Sequence, residues 1–146
     1  MTIAATRELV QRKTPRIPEK VVQSNIINLV RSIGGHPFVL GTVRPKGDSH
    51  GTRQTPGIPD VWVFLPAPAL RPSAPPSSLW IEVKAVGGRM RPEQVEFKAL
   101  CRRVGIAHVH GGLDDVIAFL VDGGWLSAAN LPHYRHPNTQ QPGAPK

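Results

Sequence analysis

The first regular pattern along the chain is a helical stripe of apolar residues in the segment 18–33. Pro18 suits the first helical position, and Gly34-Gly35 can end the helix with a left-handed residue. Glu19 falls on the same stripe, so the helix is predicted to turn a carboxylate inward at its first turn. The apolar residues recur at the three- and four-residue spacings of one helix face: Val22, Ile26, Leu29, Val30 and Ile33.

Three apolar segments follow, and their patterns are typical of β-strands. The segment 60–66, DVWVFLP, is almost entirely apolar after its first residue, as expected for a strand covered on both faces. The segment 80–86, WIEVKAV, alternates with period two, which places Ile81 and Val83 on one face of a sheet. A shorter strand is predicted at 38–43.

The remaining pattern predicts a second helix at 92–104, a fourth strand at 106–110 and a third helix at about 113–120. The elements then run in the order helix, three strands, helix, strand and helix. This order predicts a single-domain α/β protein in which helices flank a central mixed sheet.

The composition of the ends sets the expected domain limits. The globular domain is predicted to span 18–126, between a basic N-terminal arm at 1–17 and a flexible C-terminal tail at 127–146. Within the domain, the proline-rich segment 66–78 is predicted to be a loop, because proline cannot donate a hydrogen bond to a sheet ladder.

The charge of the chain points to a polyanionic partner. Eighteen Lys and Arg residues against ten Asp and Glu residues give a net charge of +8, and a small domain this basic typically binds nucleic acid. The single cysteine, Cys101, excludes an internal disulfide framework and a zinc site built on several cysteines. No apolar run reaches the roughly 18 residues of a membrane span. The N-terminus also lacks the apolar core of a signal peptide, so a cytoplasmic protein is expected.

Several polar side chains fall where an apolar residue would be expected. Asp60 begins a buried strand, Glu82 and Lys84 share one face of the next, and Gln94 and Glu19 lie on inward helix stripes. Burying an unpaired charge is costly, so these groups are expected to cluster around a common partner. Mg²⁺ prefers oxygen ligands and keeps several waters, so two or three carboxylates suffice to bind it. Such an ion could activate water toward a phosphodiester, with the lysine orienting the nucleophile.

Simpler interpretations of the same residues also stand. Asp60 could cap a turn, and Glu82 and Lys84 could form an ion pair on a solvated sheet face. Gln94 could face water in the first turn of its helix, and Glu19 could be favoured there by the helix dipole alone.

Histidine and tryptophan residues in the strands have competing interpretations as well. His108 and His110 lie on one strand face, where packing or substrate contact is favoured over metal binding because no third ligand is near in sequence. Trp62 and Trp80 lie inside apolar strands and are expected in the core rather than as stacking platforms.

Three short motifs resemble a known family. GIPD at 57–60, EVK at 82–84 and RPEQ at 91–94 are similar to the signature of the VRR-NUC (virus-type replication-repair nuclease) domain, a branch of the PD-(D/E)xK nuclease superfamily. The resemblance covers about residues 18–121. It implies an αβββαβ restriction-endonuclease-like core, hydrolysis of phosphodiester bonds with Mg²⁺ or Mn²⁺, and branched or flapped DNA as substrate. It also implies a role in DNA repair and a phage or prophage setting.

The resemblance implies roles for individual residues of this chain. It implies catalytic roles for Glu19 in a helical E-x-x-(I/V)-Q pattern and for Asp60, Glu82, Lys84 and Gln94. The metal ligands that it implies are Asp60, Glu82, Val83 and Glu19. One departure is that the chain reads Gly41-Thr42-Val43-Arg44-Pro45 where members often carry an Asn-Ser-Gly-like turn. This departure concerns how substrate approaches the site, not the metal chemistry.

Basic residues and an apolar C-terminal helix suggest further contacts. Phosphate contact is expected at Arg44, Lys46, Arg53, Arg89 and Arg91. A homodimer is expected to cut both strands of a symmetric branch, through a surface that includes Val116, Phe119, Leu120 and Trp125. The alternative is that these residues close the core of the monomer.

Other functions remain compatible with the same sequence. The chain could be a restriction-type endonuclease that acts on linear duplex, or a basic DNA-binding module that lacks chemistry on the same scaffold. It could also be an interaction protein that uses its proline-rich loop and its tail.

Overall fold

A four-stranded sheet lies at the centre of the computed structural model, which describes residues 16–40 and 55–130. The predicted order of helices and strands is confirmed, and a short 3₁₀ turn follows at Ala128–Asn130. In chain order the elements are α1 (Glu19–Ser32), β1 (His36–Val39), β2 (Val61–Leu65), β3 (Ser77–Val83), α2 (Pro92–Val104), β4 (Ala107–Gly111) and α3 (Leu113–Asp122).

The sheet is mixed, as predicted from the order of elements. Its strands lie in the order β1-β2-β3-β4, with β1 and β3 both antiparallel to β2. The last pair, β3 and β4, is parallel, and α2 forms the crossover that a parallel pair requires. In the register, Val61 lies opposite Ile81 and Glu82 lies opposite His110.

One face of the sheet forms the hydrophobic core. The apolar stripe of α1 and the buried face of α3 pack against this face, so the predicted helical stripe is confirmed at Ile26, Leu29 and Val30. Alternate residues of the two central strands point into this core: Val61, Val63, Leu65, Leu79, Ile81 and Val83.

The opposite face carries the other alternate residues, including both strand tryptophans. Trp62 and Trp80 are half-buried on that face and do not belong to the buried core, so the expectation that they fill the core is wrong. β2 is apolar on both sides, and such a strand leaves no alternation to show which face the helices cover. Helix α2 covers part of this second face, where Phe97 contacts Trp80 and His108.

All four strands differ from their predicted limits, β2 and β4 by a single residue at each end and β1 and β3 by more. β3 covers Ser77–Val83 rather than 80–86, so the last two residues of the predicted loop 66–78 belong to this strand. After Val83 the chain turns, with the N–H of Gly88 donating to the carbonyl of Ala85 at 2.8 Å. β1 covers His36–Val39 rather than 38–43. Of that predicted strand, residues 41–43 lie outside the described residues.

The apolar end of α3 is used within the single chain. Val116 and Leu120 are fully buried, and Phe119 stacks on Trp125 with ring centroids 5.9 Å apart. Nε1 of Trp125 donates to the carbonyl of Pro66 at 2.7 Å, which ties this corner to the end of β2. Val116 and Leu120 therefore offer no exposed surface for a dimer, and the alternative that these residues close the monomer core fits their positions.

Several expectations fall outside the described residues. Arg44, Lys46 and Arg53, the turn at 41–45 and most of the predicted arm and tail lie there. Within the described parts of the chain, no helix has the length and apolar character needed to cross a membrane. Cys101 is buried on α2 as a free thiol.

Candidate active site

Asp60 is the residue immediately before β2, and the neighbouring strand holds its carboxylate. Oδ2 of Asp60 accepts a hydrogen bond of 2.9 Å from the backbone N–H of Val83, at the end of β3. Its backbone carbonyl accepts a second bond of 2.9 Å, from the N–H of Leu40. The carboxylate is therefore directed across to β3 and does more than cap its own turn.

The turn before Asp60 packs against the start of α2. Gly57 has a φ of +89°, in the left-handed region, and a Cβ atom at this position would collide with the backbone carbonyl of Glu93. Only glycine fits such a close backbone approach without strain. The turn at 57–60 thereby brings Asp60 next to the first turn of the helix that carries Gln94.

Glu82 is a buried carboxylate at the centre of the site, with 1% of its surface exposed. Its Oε1 lies 2.7 Å from Nζ of Lys84 and also accepts a hydrogen bond from the side-chain amide of Gln94. Its Oε2 is buried and has no hydrogen-bond partner among the described residues. The pair formed by Glu82 and Lys84 is thus not on a solvated sheet face, and one carboxylate oxygen is left available.

The side chain of Gln94 faces the site, and a hydrogen bond to its amide oxygen fixes its orientation. Its Oε1 accepts a hydrogen bond of 2.7 Å from the backbone N–H of Arg91, the residue that precedes the first turn of α2. This bond leaves the NH₂ group to donate to Glu82. The interpretation of Gln94 as a water-facing residue of the first helical turn is therefore wrong.

Three acids influence one another at this site. Burial raises the pKa of Asp60, and the negative charge of Glu19 adds to the rise, against the opposing effects of the Val83 N–H and of Lys84. Burial also raises the pKa of Glu82, as do the charges of Asp60 and Glu19, while Lys84 opposes them. Glu19 is exposed at the start of α1, so the expectation that the helix turns this carboxylate inward is wrong, although its charge still raises the pKa of both Asp60 and Glu82.

The donor set is one that a hard divalent cation uses. Asp60 and Glu82 offer carboxylate oxygens, and the unpaired Oε2 of Glu82 is a buried acceptor without a donor. The side chain of Val83 is apolar, so only its backbone carbonyl could serve as a ligand. Across residues 16–40 and 55–130, no group of three or more His, Cys, Asp or Glu side chains is gathered closely enough to hold a metal ion. An ion here would therefore depend on two carboxylates, a carbonyl and water, a pattern typical of Mg²⁺.

The predicted phosphate contacts are only partly described. Arg89 and Arg91 are exposed in the segment between β3 and α2, and the backbone of Arg91 supports Gln94. Neither guanidinium has a hydrogen bond or ion pair that would connect it to the carboxylates.

A contact between Lys98 and His110 beside the site was not predicted from the sequence. Nζ of Lys98 lies 2.7 Å from Nδ1 of His110, and His110 lies opposite Glu82 in the β3–β4 register. Lys98 is four residues after Gln94 on α2, and this spacing puts both side chains on one helix face. That spacing could have identified Lys98 from the sequence. His108, two residues earlier on β4, packs against Phe97 and not against the acids.

A separate cavity of about 370 Å³ lies away from this cluster, and none of the acids lines it. Its walls come from the end of α1, the proline-rich loop and the segment after α3, including Ile33, Leu70 and Trp125. It has no ionisable side chain in its lining. Among the described residues, Asp60, Glu82, Lys84 and Gln94 therefore lie apart from this cavity, at the junction of β2, β3 and α2.

The chain was compared with protein-family models, with curated proteins and with solved structures, and nothing matches it. The resemblance carried by the motifs at 57–60, 82–84 and 91–94 therefore remains a prediction from those residues.

Proposed function

We propose that this protein is a metal-dependent nuclease that hydrolyses phosphodiester bonds in DNA. The observation that carries the proposal is the buried carboxylate of Glu82, which shares one oxygen between Lys84 and Gln94 and leaves the other without a partner among the described residues, within reach of the charge of Asp60. The net charge of +8 and the three family-like motifs support it independently.

Each residue has a distinct part in this proposal. A Mg²⁺ or Mn²⁺ ion bound by Asp60, Glu82 and the carbonyl of Val83, with Glu19 nearby, would lower the pKa of a bound water and polarise the phosphate. Lys84 would orient the attacking water and balance the negative charge that develops on the phosphate. Gln94 would act as a positioning residue, because its amide fixes the rotamer of Glu82.

The arrangement around Glu82 places two carboxylates, one buried and one half-buried, beside a single lysine. A buried, unpaired charge is unfavourable, and Lys84 neutralises only one of the two acids. A bound cation would offset the remaining negative charge and favour the ionised form of both carboxylates. The raised pKa values of Asp60 and Glu82 without an ion fit this account.

The nature of the DNA substrate follows only from the family resemblance, which implies branched, flapped or junction DNA. A panel of hairpin, flap, fork, four-way-junction and linear substrates with Mg²⁺ or Mn²⁺ tests the function directly. Cleavage near branches supports a structure-selective enzyme, whereas fixed cut sites on linear duplex indicate a restriction-type enzyme. Glu82→Gln should be inactive. Glu96→Gln, which removes an exposed carboxylate of α2, is the matched control and should remain active.

One observation favours a second candidate function, that of a DNA-binding module without chemistry. Among the described residues, no three His, Cys, Asp or Glu side chains gather into a metal-binding group. Binding of DNA without cleavage of any substrate in the panel, at any Mg²⁺ or Mn²⁺ concentration, would establish this alternative.

A further inference from the structure

The sheet face opposite the core carries a continuous row of aromatic rings. Phe38, Trp62 and Trp80 lie directly opposite one another across β1, β2 and β3, and Phe64 follows Trp62 on the same face of β2. These four residues are here called the aromatic row. None of them belongs to the buried hydrophobic core.

The four rings contact one another and form a continuous aromatic surface. The two indoles stack with centroids 5.2 Å apart and planes 10° from parallel. Phe64 meets Trp62 edge-on at 4.8 Å and meets Phe38 at 5.0 Å. Because each ring contacts at least one neighbour, the surface loses little conformational freedom when a flat ligand binds.

The β1–β2 end of the row is open among the residues that the structure describes. Phe38 is 44% exposed and Phe64 is 45% exposed, which is unusual for neighbouring large aromatic side chains. The other end is covered, because Phe97 of α2 meets Trp80 at 5.2 Å. A ligand would therefore reach the row over β1 and β2.

The row continues directly into the candidate active site. Trp62 is two residues from Asp60, and Trp80 is two residues from Glu82. Two residues of a strand span roughly 7 Å on one face of a sheet. This is about two nucleotide steps at the ~3.4 Å spacing of stacked bases along one DNA strand.

The charges beside the row favour a polyanion over a second copy of the chain. Lys84 and Lys98 lie on the same side of the sheet, at Glu82 and at His110 respectively. Two copies docked through this face would bring these lysines, and two net charges of +8, toward each other. Aromatic rings beside cations are the combination that binds single-stranded nucleic acid, because every base has a face that can stack.

We propose that the aromatic row is a stacking site for unpaired nucleobases of single-stranded DNA, with Phe38 and Phe64 as its accessible rings. The position of this stacking site relative to the cleaved bond rests on the proposed function, whereas the binding of nucleobases to the aromatic row does not. A site of this kind would hold an unpaired strand next to the carboxylates and would disfavour fully paired duplex, whose bases are already stacked.

The test is a binding measurement in EDTA, so that it does not depend on cleavage. Fluorescence anisotropy would compare a labelled twelve-nucleotide oligo-dT with an abasic oligonucleotide of the same length and charge. We expect the wild type to bind oligo-dT at least about 5-fold more tightly, and Phe38→Ala and Phe64→Ala each to lose about 5-fold or more of that affinity. Neither variant should change affinity for the abasic strand.

Leu70→Ala is the matched control, because Leu70 is an exposed apolar residue outside the row. It should bind both oligonucleotides like the wild type, and thermal unfolding would confirm that all three variants fold. Equal binding of oligo-dT and abasic strand by the wild type, or unchanged oligo-dT affinity in both phenylalanine variants, would overturn the proposal. So would a wild-type dimer that becomes monomeric in Phe64→Ala, because a second copy would then occupy the row.

The two proposals fail in different ways. If the row does not bind bases but Glu82→Gln abolishes cleavage, only the stacking site is wrong. If no substrate is cleaved while base-dependent binding is lost in Phe38→Ala and Phe64→Ala, the stacking site stands without the nuclease.

Discussion

Oδ2 of Asp60 accepts a hydrogen bond of 2.9 Å from the backbone N–H of Val83, the residue that follows Glu82. This bond crosses from β2 to β3 and fixes one candidate metal ligand relative to the strand that carries the other. β2 and β3 are also joined by a five-residue register, from Val61–Ile81 to Leu65–Ser77, so the two carboxylates lie at one end of a continuously paired ladder. The hydrogen bond and the register together set the position of the Asp60 carboxylate relative to Glu82.

Replacing Asp60 by Asn should abolish cleavage and leave DNA binding close to that of the wild type. The change removes a ligand charge and almost no volume, and the amide oxygen can still accept the bond from Val83. Cleavage of the preferred substrate and affinity for it, measured in Ca²⁺ or EDTA, check this. Asp122→Asn, at the exposed end of α3, makes the same chemical change away from the site and should cleave normally. Wild-type rates from Asp60→Asn would remove Asp60 from the site.

Metal binding should be visible as thermal stabilisation. An ion that binds only the folded chain stabilises it by about 2.7 kcal/mol at a concentration 100 times its Kd. The melting temperature of the wild type should therefore rise with Mn²⁺ or Mg²⁺, and that of Asp60→Asn should not. Melting curves with and without each ion give the result, and Ca²⁺-free buffer with EDTA sets the baseline. An equal rise in both proteins would place the ion elsewhere.

Lys84→Ala should keep the metal-dependent stabilisation yet lose about 10²-fold or more in cleavage rate, the scale of one transition-state electrostatic contact. Rate and metal affinity are to be measured on the same preparation. Lys20→Ala, at an exposed position of α1, controls for the loss of one positive charge. A variant that loses metal affinity but cleaves normally at saturating ion would assign Lys84 a supporting role at Glu82 instead.

Gly57→Ala should destabilise the fold by more than Gly105→Ala does. Both glycines have positive φ, at +89° and +78°, so both substitutions incur the left-handed strain of about 1–2 kcal/mol. Only at Gly57 would the added Cβ also collide with the backbone of Glu93, since the space around Gly105 is open. Urea unfolding of both variants provides the comparison, and equal losses would mean that the turn can shift away from α2.

His108 should make stability depend on pH. Burial, together with the positive charges of Lys98 and His110, lowers the pKa of His108 from its ordinary value of 6.5 to about 4. Between these values the unfolded chain binds more protons at this position than the folded chain does, so the contribution is constant above pH 6.5 and is lost as the pH falls toward 4.

The measurement is urea unfolding at pH 7 and at pH 4.5. The wild type should lose more stability between these two values than His108→Gln, whose side chain does not titrate. His36→Gln keeps His108 and should follow the wild type. Parallel losses in all three proteins would show that His108 is protonated as readily in the folded chain as in the unfolded one.

Much of the architecture could be predicted from the sequence because it depends on local periodicity. The stripe of α1, the limits of α2 between Pro92 and Gly105, and the order of elements are confirmed. Glu82 and Lys84 were predicted to share one face, and their contact at 2.7 Å places them together. The metal, the activity and the dimer remain predictions.

What the sequence by itself determined is the type and order of the elements and the set of polar groups at apolar positions, because these follow from spacings of two to four residues. Only the tertiary structure decided how distant segments meet. The approach of Gly57 to Glu93 and the bond from Gln94 to Glu82 depend on the packing of α2 over the sheet. The same packing decides which face of the sheet is buried, and it leaves the ring of Trp62 on the other face. A strand that is apolar on both sides, such as β2, contains no local signal for that choice.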